Sequence, residues 1–319
     1  MSRSLKAHIL LVLITLIWGL TFVVIKNALA DVSPLFFNSI RMTLAAITLT
    51  AVFHRDLSKL TKGSLLYGVV IGALLWLGNE LQTVGLKYTT PSKSAFLTGL
   101  SVVLVPVFLA LFWKRKISPW SAGGVALAFA GLYLLTIPGG ASGLNFRSMN
   151  HGDLLTLVAA IVFGFHIIYM GHATQANSWR QIAVIQTAVA ALLMIFAVPV
   201  AEKVWVIWSG RVVAGIVLTG FLSLALAFSV QAWAQQFTPA THTALIFSLE
   251  PVFASMTSFF FLGERLGTRS AFGGLLILAG VLISEEKGAT ETIAVAPDHA
   301  AVPQNPGEQQ VNRDVAQNR

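Results

Sequence analysis

Glu250, with Pro251 directly after it, stands inside an apolar run from 239 to 262. A carboxyl among hydrocarbon side chains is costly to keep, so one that is kept is a candidate for carrying a proton or holding a cation. The proline beside it has no amide hydrogen and loosens the helix locally. A second acid, Glu80, lies within Asn79-Glu80-Leu81-Gln82, one turn or less from Gln82. The amides of Gln82, Gln231 and Gln235 offer both donors and acceptors, which suits a zwitterionic ligand. Arg41 is the candidate for a ligand carboxylate, with Lys26 as a weaker one because it lies near enough to a helix end to snorkel. His166 sits well inside an apolar run, where an imidazole can relay a proton. Trp18 can gate or stack. Each of these residues also has a plainer reading as packing or interhelical hydrogen-bond glue.

No catalytic constellation accompanies them. The chain has no Gly-x-x-x-x-Gly-Lys-Ser/Thr loop for nucleotide phosphates, no His-Glu-x-x-His and no Gly-x-Ser-x-Gly. It has no cysteine, which excludes disulfides, thiolate metal sites and Cys nucleophiles. The expectation is therefore a non-enzyme with no cofactor and no metal, drawing any energy it uses from a gradient.

The elements that must position these residues follow from composition. Of 319 residues 55% are hydrophobic and 11% charged, and the mean hydropathy is +0.76. Ordinary soluble chains carry roughly 25% charged residues, so the solvent for most of this chain is lipid. The net charge of +8 comes from Lys and Arg set singly or in short runs between apolar stretches. That is the pattern of positive-inside loops, and it excludes a nucleic-acid-binding face. A span needs roughly 20 apolar residues, and the loop signals divide the chain into ten: 7–29, 34–53, 63–86, 93–113, 118–137, 152–171, 181–200, 211–234, 239–262 and 268–285. Runs such as Ile9 to Ile17 do not alternate, so a porin-like barrel is excluded and an all-α bundle is expected. The N-terminal run continues past twenty residues without a small-residue cleavage site and reads as a retained span rather than a signal peptide.

Beyond 287 the composition shifts to Pro, Ala, Gln and Asn without an aromatic residue, so 288–319 is expected to be a disordered tail. Arg313 and Arg319 stand there against Glu291, Asp298, Glu308 and Asp314, a net of −2 that leaves +10 for residues 1–287. With the N-terminus inside, the first half places Arg3, Lys6, Arg55, Lys59, Lys62, Lys114, Arg115 and Lys116 in the cytoplasm and only Lys87 and Lys93 outside. The second half votes weakly the other way. Both termini are expected in the cytoplasm.

The chain also repeats itself. Tyr88-Thr89-Thr90-Pro91-Ser92-Lys93-Ser94-Ala95-Phe96 matches Phe237-Thr238-Pro239-Ala240-Thr241-His242-Thr243-Ala244-Leu245, and each block is followed by Pro-Val-Phe, at 106–108 and 251–253. Gln82 matches Gln231, Gly124 to Gly131 matches Gly273 to Gly280, and, less clearly, Trp18-Gly19 matches Phe163-Gly164, which puts Arg41 opposite Gln186. Five spans per copy thread successive copies through the membrane in opposite directions, the inverted-repeat design of many secondary transporters. The expected units are 1–140 and 141–287. Pro106 and Pro251, paired by this alignment, are candidate flexing points.

Trp18-Gly19, Arg41, Gly85-Leu86-Lys87-Tyr88-Thr89 and, above all, Leu249-Glu250-Pro251-Val252-Phe253 followed by Leu262-Gly263-Glu264-Arg265-Leu266 resemble the EamA-type transporters of the drug/metabolite transporter superfamily. The resemblance spans about 5–285. It implies a ten-helix inner-membrane carrier, often an exporter of amino acids or other small metabolites. The first half departs from the pattern: Val105 stands where the second half has Glu250, and Lys114-Arg115-Lys116 where it has Gly263-Glu264-Arg265. The expected cavity is lined by Trp18, Arg41, Glu80, Gln82, His166, Gln231 and Glu250, with a small molecule, the bilayer and protons as partners. A nucleotide-sugar or phosphate-ester antiporter, a multidrug or cation exporter, and a non-transporting subunit or sensor are the competing readings.

Overall fold

The computed structural model describes residues 2–136, 150–262 and 267–288. They form helices α1 (Arg3–Ala28), α2 (Pro34–Leu57), α3 (Lys62–Tyr88), α4 (Pro91–Gly99), α5 (Ser101–Trp113), α6 (Pro119–Thr136), α7 (His151–Ala176), α8 (Trp179–Ala201), α9 (Gly210–Leu218), α10 (Ala227–Ala234), α11 (Ala240–Phe247), α12 (Glu250–Leu262) and α13 (Thr268–Gly288). A π-helical stretch, Thr219–Leu226, joins α9 to α10. Among the described residues the one β-type pairing is an isolated antiparallel bridge between Val32 and Val206.

Local sequence sets the helix ends. The Thr61 hydroxyl caps α3 through the Ser64 amide, and Thr90 caps α4 with Pro91 at its first position, where a missing N–H costs nothing. At the start of α7 the Asn150 side chain accepts from the Asp153 amide while the Asp153 carboxylate accepts from the Asn150 amide, closing a capping box. Among the described residues, seven segments are long and apolar enough to cross a membrane: α1, α2, α3, α4 with α5, α7, α8, and α9 through α10. Phe196, Val200, Phe260 and Leu282 lie exposed on the outside, as lipid permits and water would penalise. The chain is a multi-pass α-helical membrane protein.

Of the ten spans expected from the sequence, seven meet that standard among the described residues. Expected spans 118–137 and 268–285 correspond to α6 and α13, whose apolar stretches are the shorter Pro119–Leu134 and Ala271–Ser284. Expected span 239–262 is broken at Ser248 and Leu249 into α11 and α12. The tail from 289 onward, the Pro138-Gly139-Gly140 connector and the Glu264-Arg265 pair fall outside the described residues.

Glycine permits close helix contacts. A Cβ on Gly131 would lie 2.5 Å from the Gly273 carbonyl oxygen, and one on Gly124 would lie 2.6 Å from that of Gly280, so α6 and α13 touch backbone to backbone. Gly68 and Gly72 let α3 settle on Ile185, Gln186 and Val189 of α8.

Polar ties close both ends of the bundle. At the end opposite the N-terminus, the Arg211 guanidinium and Ser209 hydroxyl donate to Asp31, the Ile207 amide donates to the Asp31 carbonyl at 2.7 Å, and the Glu202 carboxylate accepts from the Leu35 and Phe36 amides at the start of α2. The hydrogen bonds from Ser209 and then from Arg211 hold the Asp31 carboxyl below the usual carboxylate range. At the N-terminal end, Arg180 reaches Asp56 at 3.3 Å and the Gln181 amide donates to the Asp56 and Lys59 carbonyls. The turns 1–2 and 8–9 are therefore tied at one end, and the turns 2–3 and 7–8 at the other.

Candidate functional site

Gly19 brings α1 against α12: a Cβ there would lie 2.7 Å from Phe253 Cβ and 2.9 Å from the Ala254 amide nitrogen. Trp18 is thereby carried next to the start of α12. Its Nε1 donates to the Ser223 carbonyl at 2.9 Å, and its ring packs against Phe228 at 5.4 Å and edge-on to Phe247 at 4.9 Å. Ser223 lies in the π-helical stretch, where the i→i+5 register displaces the usual carbonyl partners; such turns recur at functional sites.

These residues bound a cavity between α1, α2, α3, α4 and α5 on one side and α7, the π stretch, α10 and α11–α12 on the other. Trp18, Arg41, Gln82, His166, Gln231 and Glu250 all line it. Its wall runs from Gln231 and Phe247 in the middle of the bundle to Ile25 and Leu86, near the ends of α1 and α3. It is therefore offset toward the end opposite the N-terminus.

Arg41 is buried, with its Nε on Asn38 Oδ1 at 2.9 Å and its Nη2 on Asn79 Oδ1 at 3.2 Å and Thr83 Oγ1 at 3.3 Å. A guanidinium has five N–H donors. Those of Nη1 have no acceptor among the described residues, and Arg41 is part of the cavity wall. Arg41 thus lines the space while three uncharged side chains hold its Nε and Nη2.

Glu80 is not among the residues that line the cavity. Asn38 donates to Glu80 Oε2 at 2.9 Å and so links it to Arg41 from behind, while Glu80 Oε1 is buried without a partner. Gln235 is likewise set back, accepting from Gln231 Nε2 at 3.0 Å and donating to the Ile167 carbonyl at 2.9 Å. Gln231 Oε1 is left buried and unpartnered. Lys26 is committed elsewhere: its Nζ donates to the Leu86, Lys87 and Thr89 carbonyls and caps the end of α3.

Gln82 donates to Thr98 Oγ1 at 3.0 Å, and His166 Nε2 is 3.0 Å from Gln186 Oε1. Glu250 is the first residue of α12, where the free amides of a helix start favour a carboxylate. No hydrogen bond reaches its carboxyl among the described residues. Also among the described residues, no group of three or more His, Asp or Glu could hold a metal ion.

The two prolines occupy different places. Pro106 lies inside α5, five residues after its start, whereas Pro251 is the second residue of α12. What corresponds is the helix break, at Leu100 in one half and at Ser248-Leu249 in the other. Ser101 and Glu250 are then counterparts, 149 residues apart like Gln82 and Gln231, and the earlier pairing of Glu250 with Val105 is replaced. The same offset pairs Thr98 with Phe247 and Asn79 with Phe228, all in the cavity wall. Sequence reasoning missed Asn38, Thr83, Thr98, Ser101 and the aromatic residues Phe163, Phe228 and Phe247. This offset was the available signal for several of them.

Against known proteins, the model of the EamA-like transporter family matches the chain twice, over residues 5–137 and 150–285. The chain belongs to the EamA-like transporter family. An "uncharacterized transporter" of Archaeoglobus fulgidus is 35% identical over 282 residues, covering 88% of this chain and 86% of that protein. The uncharacterized transporter YoaV of Bacillus subtilis is 26% identical, covering 88% of this chain and 96% of its own. The uncharacterized inner membrane transporter YedA of Escherichia coli is 27% identical, covering 84% and 87%. A solved structure described as "Crystal structure of protein" superposes with a TM-score of 0.70 at 16% identity, covering 92% of this chain and 100% of that one, and so supports the fold alone. This EamA-like protein is a membrane transporter, and its cavity is the natural candidate for a substrate path.

Proposed function

We propose that this transporter exports a small polar metabolite, an amino acid or related zwitterion, across the inner membrane, coupled to protons or as a facilitator. The observation that carries the reading is that one cavity holds both the free edge of Arg41 and the unbonded carboxyl of Glu250, a donor for a carboxylate and a partner for an ammonium. The first comes from one matched half of the chain and the second from the other. The amides of Gln82 and Gln231 and the hydroxyls of Thr98 and Ser101 supply polar contacts between these charges.

Movement is proposed to come from ten spans arranged as two inverted repeats, 1–140 and 141–287. Supporting this are the double family match and the reciprocal contacts of Gly124 with Gly280 and Gly131 with Gly273, residues that the repeat pairs crosswise. The ties at the two ends are also mates: the acid of one, Asp31, precedes α2, whereas the acid of the other, Asp56, ends it. Alternating access then exchanges the conformations of the halves, with α4–α5 and α11–α12 bending at their breaks. With both termini cytoplasmic, the cavity in this conformation extends outward.

Counterflow in liposomes tests the substrate class. Labelled amino acids supplied outside should accumulate in vesicles preloaded with the same unlabelled compound. Absence of counterflow across the full amino-acid set overturns the class. The aromatic wall of Trp18, Phe163, Phe228 and Phe247 beside Glu250 favours a lipophilic cation as the second reading, and the same assay with a labelled organic cation decides it. A phosphate ester is disfavoured, because Arg41 is the only Lys or Arg among the described wall residues.

A further inference from the structure

A groove between α5 and α6 has no part in the transport reading. Val103 and Val107 of α5, Ile117 of the connection, and Val125, Ala126 and Phe129 of α6 line it, and its surface is almost wholly apolar. From Val103 to Lys114 the helical rise amounts to about 16 Å, close to half of a hydrocarbon core of roughly 30 Å. Val103 and Val107 of the wall lie within that stretch of α5, so an acyl chain of one leaflet reaches them. Lys114, Arg115 and Lys116 directly precede the wall residue Ile117, all exposed and without an ion-pair partner among the described residues. Lys114 adopts φ 51° and ψ 29° at the end of α5, with its amide and that of Arg115 both on the Leu109 carbonyl. A left-handed residue at that place is ordinarily glycine. Here the cation is kept in a conformation that L side chains disfavour.

We propose that this groove binds an anionic phospholipid from the leaflet at the N-terminal end of the bundle. One acyl chain lies against Val103, Ala126 and Phe129, and the headgroup phosphate is held by Lys114, Arg115 and Lys116. Charge complementarity selects this occupant over a second copy of the chain, whose own Lys114, Arg115 and Lys116 would bring the same cations together. The chain in the groove distinguishes the site from diffuse attraction of a basic loop to a charged surface, which needs no cavity.

Native mass spectrometry of the full chain, titrated with phosphatidylglycerol and with phosphatidylcholine of the same acyl chains, tests the proposal. One phosphatidylglycerol should be retained per chain, with about a hundredfold preference over phosphatidylcholine, as three phosphate-facing cations imply. The combined Lys114→Gln, Arg115→Gln and Lys116→Gln variant should lose that preference. Ala126→Phe fills the groove with all three cations intact and should weaken retention about tenfold, the equivalent of two methylenes left unburied. Equal retention of the two lipids, or phosphatidylglycerol retention unchanged in Ala126→Phe, overturns the proposal. So does a paired form of the native chain that Ala126→Phe separates, since the occupant would then be a second copy.

Discussion

At Arg41, a buried charge is held by uncharged groups so that part of it remains free. Asn38, Asn79 and Thr83 take the Nε and Nη2 donors and fix the plane of the guanidinium, leaving Nη1 of this cavity-lining side chain without an acceptor among the described residues. A lysine has one rotating ammonium and cannot meet that set of acceptors while presenting a fixed edge. Arg41→Lys is therefore expected to raise the half-saturating substrate concentration in counterflow about tenfold, the worth of one charge-assisted hydrogen bond. An unchanged value would detach Arg41 from the substrate. The residues readable in the sequence, such as Trp18, Arg41 and Glu250, stand out because a polar or bulky group inside an apolar run has a cost. Asn38 and Thr83 do not stand out, because short polar side chains are common in helices and their roles arise only where α2 meets α3. Glu80 illustrates the limit: its presence in a span was legible, but its hydrogen-bond partner Asn38 lies 42 residues away in sequence.

At the scale of elements, helix breaks and helix contacts carry the argument. The α6–α13 contact depends on hydrogen at Cα, since a Cβ on Gly131 would meet the Gly273 oxygen at 2.5 Å, whereas one on Gly123 would have nothing within 4 Å. Gly131→Ala is expected to destabilise by about 1–3 kcal/mol through overpacking, and Gly123→Ala, on the same helix, to leave stability unchanged or raise it by up to about 1 kcal/mol. Melting temperatures of the two variants in one detergent check the contrast, and equal effects would refute the close contact. Apolar runs and loop punctuation were enough to locate most helices. The split of α11 from α12 and the π-helical stretch were not legible, because both are changes of hydrogen-bond register inside continuous apolar sequence. Pro251 marked the first only after the break was known.

For the whole molecule, the ties at the two ends make a testable frame. Asp31 has a lowered folded-state pKa, so its stabilising contribution is fully present above the unfolded carboxylate value of about 3.9 and is lost as pH falls through the folded value. Asp31→Asn should therefore lower the melting temperature at neutral pH, with the gap to the native chain closing below about pH 4. A gap independent of pH would show that the carboxylate charge is not what ties Asp31 to Ser209 and Arg211. The inverted arrangement requires the turns at Asp56 and Lys203 to face opposite compartments. Reporter fusions at these two positions should give opposite signals, and the same compartment for both would refute it.

The central claim, that a small zwitterion crosses through the cavity between Arg41 and Glu250, is tested most directly by gradient-driven uptake in liposomes. With the native protein and an imposed proton gradient, the amino acid identified by counterflow should accumulate. Glu250→Gln keeps the shape and removes the ionisable group, and it should abolish that accumulation while leaving the protein folded by its melting temperature. Accumulation in Glu250→Gln at the native rate would contradict the account.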